Sequence, residues 1–369
     1  MSQLSFTKEK LKDLLIEHYP RLKNVREKLV DNKLNPFSYL IETIRASGNN
    51  YHHNEAGFFV DLGKNQTEKE TIALLVPVSQ EAKQQKINNI IPLIISLGIF
   101  EFLQIFANKF TKNIRFIFHN TDLMASGKLL IENNALQNVT QLYILNSNGM
   151  IPANSIAITR KIVIPASEKF QIKIYNDEAA ESVEQNASTD IILVAAHAIV
   201  ALSQISGRKL DPLRPAKLFL TSIHSSDNER GILSAVTIDG FMLISDDAIK
   251  ASKREAIKKS LQAISGAFSV QTECKKIMEI PAVANHPCCI EILEKAGEEM
   301  LGKNRVLPFD YISADLLHLA EYFNTVHSAV LHVGCVTSTE GASSSKTTQI
   351  DTIVQTGISV MSWLIIKKS

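Results

Sequence analysis

The sequence predicts an α/β fold into which a smaller α+β domain is inserted, and three observations support this prediction. The 369 residues exceed the size at which one hydrophobic core usually keeps growing, so two domains are expected. Apolar strand-like segments alternate with helix-like segments between residues 57 and 145, which is typical of a sheet covered by helices on both faces. After residue 166 the predicted order becomes β-α-β-β-α-β, which is typical of a ferredoxin-like unit.

The N-terminal third carries the first alternation of helices and strands. In residues 5–46, leucines and isoleucines recur at spacings of three and four, which predicts two amphipathic helices separated near Asn35 and Pro36. The segments that follow are predicted as strands at 57–63, 71–78, 114–118 and 141–145, and as helices at 87–108 and 127–133.

The predicted inserted domain covers residues 166–284, and the discontinuous α/β domain covers residues 1–165 and 285–369. Inside the insertion we expect strands at 169–176 (KFQIKIYN), 217–223, 235–243 and 270–280, with helices at 188–206 and 246–268. The chain then returns with a helix at 289–301, a strand at 329–334 and a terminal helix at 351–366. Residues 337–348 (TSTEGASSSKTT) are predicted to form a mobile loop.

Composition excludes several classes of partner. The formal net charge is +1 with acidic and basic residues interleaved, so we expect neither nucleic acid nor an anionic membrane as a partner. The apolar stretch 87–106 contains Asn88, Pro92 and Glu101, which favours a buried helix over a membrane span. The N-terminus lacks the apolar core of a signal peptide, and the four cysteines lack a CxxC spacing. A reduced, cytoplasmic protein is therefore expected.

Several segments resemble the M20 family of metallopeptidases and aminoacylases. Residues 210–226 (LDPLRPAKLFLTSIHSS) are similar to that family's VDPLDPA…GSIHGG run, and residues 151–172 and 234–241 match further family segments in the same order. The resemblance implies an α/β domain of zinc-peptidase type with an inserted ferredoxin-like lid and dimerisation domain. Members of that family hydrolyse C–N amide bonds with two zinc ions, and the resemblance also implies a homodimer formed through the inserted domain.

The positions that this resemblance assigns to the zinc chemistry hold other residues. The strand at 115–118 leads in the family to a Glu-Glu pair, of which the first is the general base and the second a metal ligand; here these positions are Asp122 and Leu123. A metal-binding histidine of the family aligns with Asn146. The remaining ligand positions fall in 84–89 (QQKINN), in Pro77-Val78 and in 343–348 (SSSKTT). The resemblance therefore implies no metal ligands and no bound cofactor in this chain.

Candidate site residues remain in spite of this loss. Asp122 occupies the position of the family's general base. We expect a small-molecule site, if one is retained, in the cleft between the two domains, because pockets form preferentially at domain interfaces. The residues expected to line it are His119, Asn146, Asp315 and the neighbouring Ser313, with His224 or Arg230 contributed by the inserted domain.

The sequence is also compatible with two other kinds of chemistry. A relocated metal site around His119 and Asp122, or around His52, His53 and Glu55, competes with the interpretation of these residues as ordinary polar loop residues. Cys288 and Cys289 follow Asn285-His286-Pro287, which is compatible with a Cys-His pair or with the N-cap and first turn of a helix. Neither GxxxxGK[ST] nor GxGxxG occurs in the sequence, so no phosphate-binding loop is predicted.

Two functional hypotheses follow. In the first, the chain is an M20-type homologue without di-zinc ligands that acts as a non-hydrolytic binding or assembly protein. In the second, it is an active hydrolase of N-acyl amino acids or small peptides that uses a relocated site.

Overall fold

A computed structural model describes most of the chain, and the chain divides into two compact units. The first unit comprises Met1–Val163, Ala284–Tyr311 and His318–Ser369, and the second comprises Ile164–Val283 and Ile312–Leu317. Residues 312–317, which the sequence analysis assigned to the discontinuous domain, therefore group with the inserted unit. The described residues are 8–9, 11, 13, 17, 35–49, 51–62, 70–79, 87–107, 110–123, 125–176, 190–207, 216–227, 233–244, 247–310, 314–336 and 345–368.

The first unit is an α/β structure built in the order that the sequence predicts. Its helices are α1 (Pro36–Ala46), α2 (Ile87–Gln104) and α3 (Ser126–Glu132). Its first strands are β1 (Tyr51–Asn54), β2 (Gly57–Leu62), β3 (Thr71–Val78), β4 (Asn113–Asn120), β5 (Val139–Pro152), β6 (Ile156–Ile158) and β7 (Ile162–Ile164), the last of which ends at the boundary with the second unit.

The second unit follows β7 and contains four long strands and two helices. Its elements are β8 (Ala166–Tyr175), α4 (Ile191–Gly207), β9 (Ala216–Asp227), β10 (Leu233–Ile244), α5 (Asp247–Phe268) and β11 (Gln271–Ile280). The chain returns to the first unit through β12 (Val283–Ala284), α6 (Pro287–Leu301), β13 (Val306–Pro308), α7 (Ala320–Thr325), β14 (His327–Val336) and α8 (Ser345–Lys368).

Parallel strands occupy the centre of the large sheet. The strand order is β1-β2-β4-β3-β5-β14-β6-β13, and β4, β3, β5 and β14 run parallel to one another. The central strands are nearly all apolar, as in β3 (TIALLVPV), because helices cover both faces of such a sheet. Helix α2 is buried along almost its whole length between residues 90 and 103, which explains its high apolar content.

The second unit has the ferredoxin-like order that its β-α-β-β-α-β sequence predicts. Its antiparallel sheet has the order β11-β8-β10-β9, so β9 and β11 are the edge strands. Alternate residues of β8, such as Phe170, Ile172 and Ile174, are buried in a core with α4 and α5, while Lys169 and Lys173 on the opposite face are exposed. The fold class predicted from the sequence is thus confirmed, with a separate core in each unit.

Arg115 of β4 forms hydrogen bonds both to the neighbouring strand β2 and to the turn after α3. The Arg115 guanidinium donates to both carboxylate oxygens of Asp61 on the neighbouring strand, at 2.7 and 2.8 Å. Its Nη1 also donates to the carbonyl oxygens of Asn134, Ala135 and Gln137, at 3.1, 3.1 and 3.3 Å. These contacts hold a turn in which Asn134 adopts a positive φ of 65°, a conformation that asparagine tolerates better than most residues.

Two details differ from the sequence-based predictions, and one prediction lies mostly outside the described residues. Helix α8 begins at Ser345, so the end of the predicted mobile loop is helical, while residues 337–344 lie outside the described part of the chain. The short strands β6, β7 and β13 were not predicted, because three apolar residues carry too little periodicity to mark a strand. Most of residues 5–34 also lie outside the described residues, so only α1 of the two predicted N-terminal helices is described in full.

The membrane prediction concerns the helices of both units. Within the ranges given above, no helix is long and apolar enough to cross a membrane.

Packing in the second unit predicts opposite effects for two Gly→Ala substitutions. A Cβ on Gly240 of β10 would lie 2.1 Å from the buried Phe170 ring, whereas a Cβ on Gly266 of α5 would meet no atom within 4 Å. We expect Gly240→Ala to lower the free energy of unfolding by about 1–3 kcal/mol through overpacking. Gly266→Ala should raise it by up to about 1 kcal/mol through helix propensity. Urea unfolding of both variants measures these changes, and equal stability of the two variants would contradict the described packing.

Candidate functional site

The carboxyl ends of the parallel strands form the candidate site of the first unit, since open α/β sheets bind ligands at this edge. His119 and Asn120 end β4, and Val78 ends the neighbouring β3. Asn146 of β5 lies directly opposite His332 of β14. Of the sequence-predicted residues, His119 lies at the end of β4, Asp122 follows that strand, and Asn146 lies within β5, which is separated from β4 by β3.

His119 is a buried, hydrogen-bonded histidine. Its side chain is 0% exposed, its Nδ1 lies 3.0 Å from the Tyr322 hydroxyl, and its Nε2 lies 2.9 Å from Ser126 Oγ. Ser126 Oγ has its own acceptors in the carbonyl oxygens of Asn120 and Leu123, at 2.7 and 2.6 Å. The single Ser126 proton goes to one of these carbonyls, so His119 Nε2–H donates to Ser126 Oγ and the Tyr322 hydroxyl donates to Nδ1.

This arrangement keeps His119 neutral. Burial lowers the pKa of His119 well below its usual value, and the nearby His318 ring, stacked on it with ring centroids 4.8 Å apart, lowers it further. Burial also raises the pKa of the Tyr322 hydroxyl, which therefore stays protonated as a donor. Both ring nitrogens of His119 are occupied by neutral partners, so neither is available to a metal ion unless these hydrogen bonds break. His119 is fully buried, and its predicted place in the lining of a cleft between the domains stays a prediction.

Asn146 and His332 form a second polar pair at the same sheet edge. The Asn146 amide Nδ2 lies 3.3 Å from His332 Nδ1, so the amide donates and the imidazole proton resides on Nε2. His332 is fully buried, with Phe309 packed edge-on at 5.4 Å, and burial lowers its pKa to about 4. Its Nε2 has no hydrogen-bond partner within the described ranges. Asn146 thus serves to hold a neutral histidine.

Asp122 lies in the connection after β4 and is positioned by local hydrogen bonds. Ser79, which follows β3, donates its hydroxyl to Asp122 Oδ1 at 2.7 Å. The Asp122 backbone N–H donates to Asn120 Oδ1 at 3.0 Å, while the Asn120 amide donates to the carbonyl oxygen of Glu55 at 3.0 Å. Asp122 is exposed, so its carboxylate is the accessible charged group among the three predicted residues at this edge.

A co-catalytic zinc pair requires several carboxylate, imidazole or thiolate ligands around two ions. At the positions that the family resemblance assigns to ligands, the described residues are Val78, Leu123 and Asn146, and these do not supply such groups. Within the described ranges, no three histidine, cysteine, aspartate or glutamate side chains are grouped closely enough to hold a metal ion. The described donor set does not fit a di-zinc site, and this also applies to His52, His53 and Glu55.

The other predicted site residues are not brought to this edge by described contacts. His224 lies on the exposed part of β9 in the second unit, opposite Thr237. Asp315 lies in a 3₁₀ helix at Ala314–Leu319, with its side chain outside the described part, and Ser313 and Arg230 lie outside the described residues altogether. The predicted cleft made from these residues therefore stays a prediction.

The cysteine pair starts helix α6, as the helix-start interpretation predicted. His286 is the N-cap and Pro287 the first helical residue, while Asn285 is buried. Asn285 Nδ2 donates to the Thr159 carbonyl at 2.8 Å, and its Oδ1 accepts the Val330 N–H at 2.9 Å. Burial raises the pKa of the Cys289 thiol to about 12, so this cysteine is not poised as a nucleophile.

Sequence reasoning missed His332, Tyr322 and His318, which decide the state of the predicted residues. His332 carries a usable signal, since a lone histidine in the apolar run AVLHVG indicates a buried polar group that requires a partner. Tyr322 and His318 precede β14 in an ordinary helix-forming segment, and nothing local indicates that they contact His119, which lies 203 residues from Tyr322.

Comparison of sequences finds distant relatives and no matching family model. The chain is 19% identical over 165 residues to thermostable carboxypeptidase 2 of Saccharolobus solfataricus, covering 44% of this chain and 42% of that protein. It is 22% identical over 187 residues to N-acetyl-L-cysteine deacetylase of Bacillus subtilis, covering 50% and 45%. The alignments thus span less than half the length of these relatives.

Comparison of structures covers almost the whole chain. A protein described as an aminohydrolase from methicillin-resistant Staphylococcus aureus is 15% identical with a TM-score of 0.73, covering 98% of this chain and 99% of that one. A dinuclear metal-binding peptidase of the M20 family from Bacillus subtilis is 13% identical with a TM-score of 0.68, covering 95% and 98%. The chain therefore has the fold of M20 peptidases and amidohydrolases, which confirms the sequence-based resemblance at the level of fold.

The two buried histidines predict that acid destabilises the first unit. Each stays neutral in the folded chain at pH values where the unfolded chain, with a histidine pKa of about 6.5, takes up a proton. The contribution of the neutral histidines to the free energy of unfolding is thus fully present above about pH 6.5 and is lost as the pH falls. At pH 5 the loss is about 2 kcal/mol per histidine. Urea unfolding between pH 7.5 and 5 measures how the free energy of unfolding changes with pH. In His332→Gln, unfolding at low pH should take up one proton fewer than in the wild type, so the free energy of unfolding should fall less steeply.

Cys335→Ser provides the matched control for that series. Cys335 lies three residues further along the same strand, and burial raises its thiol pKa to about 11, so it does not titrate in this range. Its variant should keep the wild-type pH dependence. If the free energy of unfolding changes with pH equally in His332→Gln and in the wild type, His332 is charged in the folded chain.

Proposed function

We propose that this chain is an M20-fold homologue that binds a ligand or assembles with a partner without hydrolysing amide bonds. The observation that carries the proposal is the pairing of Asn146 with His332. At this position the resemblance expects a metal-binding imidazole, and Asn146 instead donates its amide to a buried neutral histidine at 3.3 Å. An amide used in this way is a structural group of the sheet edge and supplies no zinc ligand.

The chemistry of the neighbouring positions supports the same proposal. Leu123 stands where the resemblance places the bridging metal ligand, and Asp122, at the position of the general base, accepts a hydrogen bond from Ser79. In a metallohydrolase the metal lowers the pKa of the attacking water towards neutrality. An exposed carboxylate by itself does not lower the pKa of water in this way, and Asp122 therefore fits ligand binding better than water activation.

The competing hypothesis, a hydrolase with a relocated site at His119 and Asp122, has less support. A general base has to be within hydrogen-bond reach of the proton it abstracts. Both His119 nitrogens are engaged with Tyr322 and Ser126, and the side chain is 0% exposed. Its depressed pKa would also make it a weak base.

Metal loading combined with activity assays tests this function. After incubation with Zn²⁺, Mn²⁺ or Co²⁺ and gel filtration, we expect less than one metal ion per chain by elemental analysis. We also expect no release of free amino acid from N-acetyl amino acids or dipeptides, in the wild type or in Asp122→Asn. One or more ions per chain together with hydrolysis that Asp122→Asn abolishes would overturn the proposal and establish the hydrolase instead.

The ligand class is proposed from the relatives. The proteins that this chain resembles include carboxypeptidases and an N-acetyl-L-cysteine deacetylase, whose names imply peptide or N-acyl-amino-acid substrates. We propose that this chain keeps affinity for such molecules. All four cysteines are free, which supports a reducing, cytoplasmic-type environment as part of the same proposal.

Homodimerisation through the second unit is the assembly that its surface supports. Of the nine large apolar side chains exposed within the described ranges, seven belong to this unit. On α4, Ile192, Leu193 and Val200 are 55%, 53% and 63% exposed, and Ile223 of the edge strand β9 is 49% exposed. Ile223 pairs with the buried Ile238 and so lies on the helix side of the sheet. An apolar helix face beside an unpaired strand edge favours pairing with a second copy.

Charge substitutions on this face test the dimer. Light scattering at tens of micromolar should give a dimer mass for the wild type and a monomer mass for Val200→Glu, since a buried unpaired carboxylate opposes association. Met150→Glu, which changes a similarly exposed side chain (57%) in the first unit, should remain dimeric. A monomeric wild type, or a dimer that resists Val200→Glu, would contradict an interface on α4.

A further inference from the structure

A cavity of about 470 Å³ lies in the second unit between α5 and the β11 side of its sheet. This volume is in the range of small-molecule sites. The cavity lies wholly within this unit, and the M20 resemblance assigns no chemistry to it. Its lining residues are Glu168, Phe170, Met242, Arg254, Ile257, Lys258, Leu261, Gln262, Thr272, Glu273, Cys274 and Lys276.

The cavity results from short side chains on the edge strand β11. Strand β11 presents Thr272 and Cys274 opposite the buried Ile174 and Ile172 of β8, so these two short side chains lie on the helix side of the sheet. They are too small to fill the gap beneath α5. The pairing then shifts between Lys276 and Met278, which bends the strand at this point.

The inner surface is apolar. Phe170 and Met242 are both 1% exposed, Ile257 is 2% exposed and Leu261 is 3% exposed, and these four side chains form the base of the cavity. Ile257 and Leu261 are four residues apart on α5, so they lie on one face of the helix. The same face brings Arg254, Lys258 and Gln262 to the rim of the cavity.

The charged groups at the rim have an excess of cations. The Glu168 carboxylate, in a side chain only 5% exposed, pairs with Arg254, whose Nε donates to it at 2.6 Å. Glu279 accepts hydrogen bonds from Lys250 at 2.5 Å and from Lys276 at 2.7 Å, and it also pairs with Arg254. Three cations therefore share two carboxylates.

Lys258 adds a further positive charge to this rim. It is exposed and has no carboxylate partner within the described ranges. Glu273, which also borders the cavity, lies opposite the exposed Lys173 in the register of β11 and β8, so its side chain projects to the face of the sheet away from α5. The cavity thus combines a buried apolar base with an uncompensated cation at its mouth.

We propose that this cavity binds a small amphipathic carboxylate, whose apolar body packs on Phe170, Met242 and Leu261 and whose carboxylate pairs with Lys258. The buried Glu168 and the partly exposed Arg254 form an ion pair at the wall of the site, and because each already has a partner, both remain in place when a ligand enters. A neutral apolar molecule would leave Lys258 without a counter-ion, and an ammonium headgroup would be repelled by it. The proposal does not rest on the function proposed for the first unit.

Calorimetric titration with octanoate tests the proposal, with octan-1-ol and octylammonium as matched ligands. Octanoate should bind one site per chain, more tightly than octan-1-ol, and octylammonium should not bind. Lys258→Gln should lower the affinity for octanoate by about two- to fivefold, which is the range expected for a single exposed ion pair. The affinity for octan-1-ol should not change. The neighbouring Lys259→Gln, which removes an exposed lysine paired with Glu255, should bind octanoate as the wild type does.

Thiol alkylation locates the bound molecule independently. Cys274 lines the cavity, whereas Cys288 is an exposed thiol of the first unit. Saturating octanoate should slow the alkylation of Cys274 by N-ethylmaleimide several-fold and leave the rate at Cys288 unchanged, as measured by peptide mass spectrometry. No octanoate binding, equal affinity for octanoate and octan-1-ol, or binding without protection of Cys274 would each overturn the proposal.

Discussion

The parallel pairing of β5 with β14 is the constraint on which the first unit depends. It joins Asn146 to His332 across 186 residues of sequence, and the whole second unit lies between the two strands in the chain. Closing so long a loop costs conformational entropy that a few strand hydrogen bonds do not offset. Burial of both strands in the large apolar core offsets it, and Asn285 adds two buried hydrogen bonds, to Thr159 and Val330, at the point where the chain returns.

The same pairing determines the chemistry of the sheet edge. Because β14 lies beside β5 in this register, its one buried histidine meets Asn146, whose amide donates to His332 Nδ1. His332 Nε2 has no hydrogen-bond partner among the described residues, whereas both ring nitrogens of His119 are hydrogen-bonded, to Tyr322 and Ser126. Both histidines are buried, so Asp122 is the group at this edge with an accessible charge.

A feature of the fold or of the site could be predicted from the sequence where it depends on residues that are close together in the chain. The ends of β3, α5 and β11 agree with the sequence-based predictions within one residue, because hydrophobic periodicity and turn residues are local signals. The ferredoxin-like order followed from the same signals. The environment of His119 was not predictable, since it depends on Tyr322, which reaches it only after the sheet forms. The same holds for Lys258: its position on α5 was evident, but the cavity beside it depends on the small residues that β11 presents.

The two units therefore differ in which side chains remain available for contact with a ligand or a partner. At the sheet edge of the first unit, His119 and His332 are both buried and hydrogen-bonded to neighbouring side chains. The second unit exposes Val200 and Ile223 and carries Lys258 without a described counter-ion. Exposed apolar area costs free energy in an isolated chain, and its burial against a partner would recover that free energy. Mutations at Asn146 or His332 should therefore act mainly on stability. Mutations at Val200 or Lys258 should act mainly on association, because those side chains contribute little to the core of their own unit.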